Sequence, residues 1–155
     1  MTELEIRPVP YSSPVASEMV AAALADLSGR YGGDGDATAV DPAQFAPPVG
    51  VFLVAWLDGR LAGCGGWRTY EADPVVAELK RMYTRPEARG RGVARAVLRA
   101  LEESARAAGR KRMILETGHL QPEAITLYES AGYTRIPDFG HYKDEAGVRS
   151  FGRDL

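Results

Sequence analysis

Arg89-Gly90-Arg91-Gly92-Val93-Ala94-Arg95 stands between an apolar run that ends at Thr84 and the clearest amphipathic stretch of the chain. Two glycines in this turn let the backbone take conformations closed to other residues and come close to a ligand. A helix starting directly afterwards leaves its first N–H groups unpaired and aims the positive end of its dipole at the same point. Phosphate suits such a turn, and Arg89, Arg91 and Arg95 add full positive charges around it. A glycine turn between strand and helix also serves as plain structure, so the wording of the motif has to decide. A nucleoside-triphosphate loop requires Gly-x-x-x-x-Gly-Lys-Ser/Thr, a string this sequence does not contain. A dinucleotide fingerprint requires a third glycine where Arg95 stands and an acidic strand end about 20 residues later, and it fails on both counts.

On the near side of the loop, Val75 to Thr84 reads as a strand ending just before Pro86. On the far side, Arg91 to about Ala108 reads as a helix with Val93, Val97, Leu98, Leu101 and Ala105 on one face and Gly109 as its stop. Further on comes Gln121-Pro-Glu-Ala-Ile-Thr-Leu-Tyr128-Glu-Ser-Ala-Gly-Tyr133, a short helix with proline at its start and glycine at its end. The first motif, Arg89-x-x-Gly92-x-Ala94, resembles the Arg/Gln-x-x-Gly-x-Gly/Ala signature of the GNAT superfamily of N-acetyltransferases. The second resembles that family's Asn-x-x-Ala-x-x-Leu-Tyr helix. The agreement covers residues 76–135, whereas the first 75 residues fit only in outline.

The resemblance implies one domain over residues 1–155, with a mixed α/β fold. Its centre would be a mostly antiparallel sheet of about six or seven strands flanked by about four helices. It implies acetyl-CoA as co-substrate, no metal, and acetyl transfer to a primary amine by direct attack in a ternary complex. The pyrophosphate would lie on the backbone of Arg89, Gly90, Arg91, Gly92, Val93, Ala94 and Arg95. The pantetheine arm would run like an added strand beside Met82, Tyr83 and Thr84, held by main-chain bonds. The strand at Arg112–Thr117 would splay away to make room. The oxyanion donor falls on a backbone amide near Met82, and the general acid on Tyr128. For the general base the residues offer Glu78 first, on the strand carrying the co-substrate contacts, and then Glu116 near the end of the next strand. Gln121 stands where the family has Asn, which leaves open whether it meets the pantetheine or only caps the helix.

In the first half, Leu4–Val9 reads as a strand, and Ser13-Pro14 as the cap and first residue of a helix that stops at Gly29. Residues 29–48 read as a long loop with a helical turn near Ala43–Phe45. Val51–Leu57 and Leu61–Tyr70 flank Asp58-Gly59, a hairpin signal. Tyr133–Ile136 and Val148–Phe151 complete the strands. Cys64, between small residues, reads as packing and not as a nucleophile. Trp56, Trp67 and Tyr70 read as core, with Trp67 and Tyr70 also candidates for the acceptor pocket.

The net charge of -2 conceals a strong segregation, because residues 78–112 hold 11 of the 19 Lys and Arg and only four acids. A basic middle within an acidic chain favours a small polyanion over nucleic acid. No apolar run is long enough to cross a membrane, no secretory pattern opens the sequence, and one cysteine allows no internal disulfide. The expected location is cytoplasmic, without nucleic-acid or membrane partners. The acceptor would be a small-molecule amine or a peptide or protein amine, and homodimers are common among similar proteins. Asp34, Asp36 and Asp41 would form an acidic mouth that draws in cationic amines. A catalytically silent CoA-binding regulatory domain is the alternative reading.

Overall fold

The computed structural model describes residues 2–33, 35 and 40–155. Its elements run β1 (Leu4–Pro8), α1 (Pro14–Tyr31), a 3-10 turn (Pro42–Phe45), β2 (Gly50–Leu57), β3 (Arg60–Thr69) and β4 (Val76–Thr84). A second 3-10 turn (Pro86–Ala88), α2 (Val93–Ala107), β5 (Arg112–Gly118), α3 (Pro122–Ser130), β6 (Thr134–Arg135) and β7 (Val148–Asp154) follow. Seven strands form one sheet in the order β1-β2-β3-β4-β5-β7-β6. Only β4 and β5 are parallel neighbours. The architecture is the expected mixed α/β sheet, with three α-helices among the described residues where about four were expected. The turn near Ala43–Phe45 is 3-10 and too short to count as a further α-helix.

Alternation along β2 explains the layering. Val51, Leu53, Ala55 and Leu57 join a core with α2 and α3, while Phe52 and Val54 join a second core with α1 and Phe45. Successive strand residues face opposite ways, so α1 covers one face of the sheet and α2 with α3 the other. Gly65 on β3 is what lets α2 settle so low. A Cβ there would lie 2.5 Å from Met82 Sδ and 3.0 Å from Leu101 Cδ1. Trp67 is buried in the α2 core and donates from Nε1 to Ser104 Oγ at 3.1 Å, and Tyr70 packs edge-on to Phe139. Neither lines the cavity described below.

Ser13 caps α1 as its Oγ accepts from Ala16 N. The helix does not stop at Gly29. It runs one half-turn further to Tyr31, and Gly32 at φ +78° ends it. A Cβ at Gly29 would touch nothing, so its glycine is an ordinary exposed helix position here.

A polar triad, with Tyr133 and Glu102 buried and Arg153 partly exposed, ties α2 to the far strands. Tyr133 donates to Glu102 Oε2 at 2.7 Å, and Arg153 Nη1 donates to both oxygens of the same carboxylate at 3.1 and 3.2 Å. Tyr133→Phe removes a hydrogen bond to a charged group while Arg153 keeps Glu102 satisfied. The expected cost is about 1.5–3 kcal/mol, read by urea unfolding. Burial, and then the bond to Glu102, raise the Tyr133 hydroxyl above its ordinary value. The folded chain therefore keeps a proton that the unfolded chain loses at about pH 10. That contribution is complete below about pH 10 and declines above it. Parent and variant stabilities should converge as pH climbs past this point, and a constant gap would exclude the titration argument.

Candidate active site

β4 and β5 pair only at Val76–Arg112, Ala77–Met113 and Glu78–Ile114. Beyond those pairs each strand is held from its outer side alone, β4 by β3 as far as Thr84 and β5 by β7 as far as Gly118. The two strands therefore part, and their facing edges are left without a strand partner. Part of the cause lies in β4. Cys64 faces Tyr83 and Gly66 faces Lys80, so Gly65 opposes both Arg81 and Met82. This bulge puts Arg81 at φ +63°, a conformation uncommon for a residue with a side chain, and Cys64 Sγ donates to its carbonyl at 3.3 Å.

A cavity of about 440 Å³ opens at the parting, within the size range of small-molecule sites. One wall is Leu79 to Tyr83 from β4 and another is Leu115 to Gly118 from β5, with His119 and Gln121 beyond. Ala23, Leu24, Asp26, Leu27 and Tyr31 of α1 cover it with Gly32 and Gly35 just beyond, Tyr128 of α3 reaches it, and Tyr142, Glu145, Gly147 and Val148 complete the lining.

Of the carboxylates singled out in the sequence, Glu116 lines this cavity and Glu78 does not. Glu78 is buried and ion-paired with Arg68 Nε at 3.0 Å, on the strand opposite it in register. Glu116 accepts from the backbone N–H of Tyr142 at 3.2 Å and packs so closely on Gly140 that a Cβ there would overlap its carboxylate. Tyr128 is buried, its ring packed edge-on to Tyr133, and burial raises its hydroxyl well above the ordinary tyrosine value. Gln121 does not cap α3 with its side chain. Its Oε1 accepts from Tyr31 Oη at 3.2 Å. Cys64 is fully buried with its thiol pushed up to about 12 by burial, which fits packing and not nucleophilic chemistry.

The loop before α2 lies at one end of the parted strands. Gly90 and Gly92 sit at φ +75° and +81°, and a Cβ on either would meet open space. Gly92 is the N-cap of α2 and supplies no side-chain hydrogen bond to it. The arginines are individually anchored. Arg89 donates to Thr84 O and approaches Asp26, Arg91 pairs with Asp58 at 3.7 Å, and Arg95 donates to Ser130 Oγ at 2.6 Å.

Two residues missed in the sequence close one rim. Arg30 Nη1 donates to Leu120 O at 2.9 Å, and its guanidinium also holds Asp26 and Glu123. Leu120 N donates to Tyr31 Oη at 3.1 Å. The end of α1 is thus fastened to the β5–α3 loop across the parted strands. The helix period itself carried a signal for this, because Leu27 continues past Gly29 to Arg30 and Tyr31. Asp34 and Asp36 of the expected acidic mouth lie outside the described residues. Asp41 forms a capping box with Gln44 at the first 3-10 turn.

Parallel strands parted over a cavity, beside a glycine-rich turn at a helix start, are the arrangement that the resemblance to acyl-CoA-dependent N-acyltransferases implied. Residues 18–133 match the Acetyltransferase (GNAT) family. The chain belongs to that family. It is 38% identical over 103 residues to the IAA acetyltransferase of Azospirillum brasilense, covering 66% of this chain and 67% of that protein. An uncharacterized N-acetyltransferase of Escherichia coli is 32% identical over 126 residues, covering 76% and 75%. Among solved structures, a candidate acyl-CoA N-acyltransferase from Klebsiella pneumoniae superposes with TM-score 0.80 at 25% identity, over 98% of this chain and 97% of that one. No helix among the described residues is long and apolar enough to cross a membrane.

Proposed function

We propose that the chain transfers the acetyl group of acetyl-CoA directly to a primary amine held in the cavity between β4 and β5. The observation that carries this reading is the convergence of three things on one cavity. These are an unpaired strand edge, a tyrosine whose burial favours its protonated form, and a carboxylate.

Acetyl-CoA supplies an activated acetyl thioester; the chain has to bind it and manage charge and protons. The free edge of β4 at Met82, Tyr83 and Thr84 offers strand-type hydrogen bonds to the pantetheine amides. Gly90 to Arg95 suit the pyrophosphate, because their backbone approaches open space and leads into a helix start. The bulge takes the Met82 region out of the regular ladder, which frees a backbone N–H to stabilise the carbonyl oxygen as it gains charge. Tyr128 is the proton donor to the departing thiolate. Glu116 takes the proton of the incoming ammonium, a role its position in the lining supports over that of Glu78.

Saturating acetyl-CoA should stabilise the fold, by about 2.7 kcal/mol at 100 times its Kd. A thermal-melt comparison should show NADH and ATP doing much less, and equal shifts would mean the loop was misread. Gly92→Val places a branched side chain at φ +81°, where a Cβ projects into open space. The strain costs about 1–2 kcal/mol, and in the folded variant CoA affinity should collapse. Unchanged affinity there would remove Gly92 from the phosphate cradle.

A further inference from the structure

Alternation along β5 fixes what stands beside the position of Glu116. Glu116 and Gly118 are two residues apart on a strand paired without interruption to Ser150 and Val148 of β7, so they face the same side of the sheet. Met113 and Leu115 face the other side, in the core with α2 and α3. The side of Glu116 and Gly118 is therefore the one that α1 covers. At Gly118 the place of a side chain is taken by Tyr31 from the end of α1. A Cβ there would overlap the phenol oxygen, and its three nearest atoms all belong to Tyr31. The ring is pinned in that seat. Its hydroxyl accepts from Leu120 N at 3.1 Å and donates to Gln121 Oε1 at 3.2 Å, and it lies edge-on to His119 with centroids 6.3 Å apart. Arg30 beside it holds Leu120 O and Glu123. His119 is bound in turn to the loop before β7, its N–H donating to Gly147 O at 2.9 Å. A Cβ on Gly147 would overlap the imidazole. Three segments thus meet at the end of β5. Tyr31 lines the cavity and is still 42% exposed, so it stands at the rim.

Resting on the acetyl-transfer reading above, the geometry points to Tyr31 as the residue that sets the size of the acceptor. The substrate class is then a small free amine and not a lysine within a polypeptide. The co-substrate is assigned to the β4 edge of the parting, and Tyr31 is fastened to the β5 edge across from it. Two residues of strand span about 7 Å, so a nitrogen placed at Glu116 has only that run before its substituent reaches the ring. A few bonds fill it. Longer or branched substituents meet a side chain seated on Gly118 and backed by His119. The cavity of about 440 Å³ must also hold the acetyl end of the co-substrate. A polypeptide needs room for backbone on both sides of its lysine. At this rim α1, the β5–α3 loop and the loop before β7 are instead bonded to one another.

The test follows thiol release from acetyl-CoA by the full chain over straight and branched primary amines of increasing size, with a lysine-containing peptide as the largest. The thermal midpoint of the CoA-bound chain is read with each of them. The parent should favour the small amines and leave the peptide unacetylated. Tyr31→Ala should raise kcat/KM for bulky amines by about 10- to 200-fold, the usual worth of one methylene in a fitted pocket. The smallest amines and the affinity for CoA should stay near the parent values. A general weakening of the fold cannot produce a gain confined to bulky acceptors. Tyr31→Leu, too short to reach the seat on Gly118, should move the limit the same way and carries the test if the alanine variant fails to fold. Tyr31→Phe keeps the ring on Gly118 and against His119, so it should keep most of the limit. A parent that acetylates the peptide as readily as the small amines would overturn the proposal. So would alanine and leucine variants with no gain on bulky amines, or a phenylalanine variant that relaxes the limit as far as alanine does. Failure of the acetyl-transfer reading looks different: no amine would release thiol from parent or variant, yet bulky amines would still raise the midpoint of the CoA-bound chain more in Tyr31→Ala than in the parent.

Discussion

Tyr128→Phe should lower kcat by about 10²–10⁴, the usual worth of one positioned proton donor, while CoA affinity stays near that of the parent. The substitution keeps the ring, so the edge-on contact with Tyr133 at 5.7 Å and the packing against α2 survive. Stability should change by less than about 1 kcal/mol, because a volume-conserving swap opens no cavity. Burial raises the Tyr128 hydroxyl above its ordinary value, so the group stays protonated throughout the neutral and mildly alkaline range. Any alkaline limb in kcat below about pH 10 should therefore belong to another group and persist in the variant. Single-turnover kinetics separate this from slow product release, and CoA titration separates it from weakened binding. A fully active Tyr128→Phe enzyme would leave the residue as an aromatic of the α2–α3 core and nothing more.

The parts of this site visible in the sequence are those fixed by local chemistry. Gly90 and Gly92 adopt positive φ before α2, a region that favours glycine whatever surrounds the loop, so the turn can be read from one string. Tyr128 can be placed on a short helix with its own start and stop signals, but the proton-donor role proposed for it came only with the family resemblance. The parting of β4 from β5 could be expected only through the family resemblance. It depends on which strands pair and how far, and no residue in either strand announces it. The bulge at Arg81 was hidden for the same reason, since it exists only relative to Gly65 on the neighbouring strand. Lys80 and Arg81 therefore read as two more members of a basic run, although they line a cavity. Glu78 was legible as an acid on the right strand. Its engagement by Arg68 follows from the β3–β4 register, which hairpin reasoning between β2 and β3 does not reach. The clamp of Arg30 and Tyr31 on the β5–α3 loop joins segments some 90 positions apart, beyond any periodicity.

Glu116→Gln should cut kcat/KM by about 10²–10⁴ at neutral pH, and the deficit should shrink as the pH rises. An amine acceptor is almost wholly protonated at pH 7, so on the proposed mechanism the parent uses the Glu116 carboxylate to remove that proton before attack. The variant has to wait for the small fraction of free amine delivered by solvent. That fraction grows about tenfold per pH unit until the acceptor's own pKa is passed, so the slope of log kcat/KM should approach one in the variant. Glutamine retains an oxygen to accept from Tyr142 N, which keeps the loop over Gly140 in place and limits any structural explanation. Glu78→Gln is the matched control. It weakens the pair with Arg68, whose side chain is only 17% exposed, and should show as lost stability while the pH dependence of turnover stays that of the parent. The opposite pattern would move the base to the other strand: a folded Glu78→Gln enzyme with the unit slope, beside a Glu116→Gln enzyme that behaves like the parent. Proton removal would then have to cross from the Arg68 pair to the cavity through water, and the electrostatics of β4, not β5, would govern the reaction.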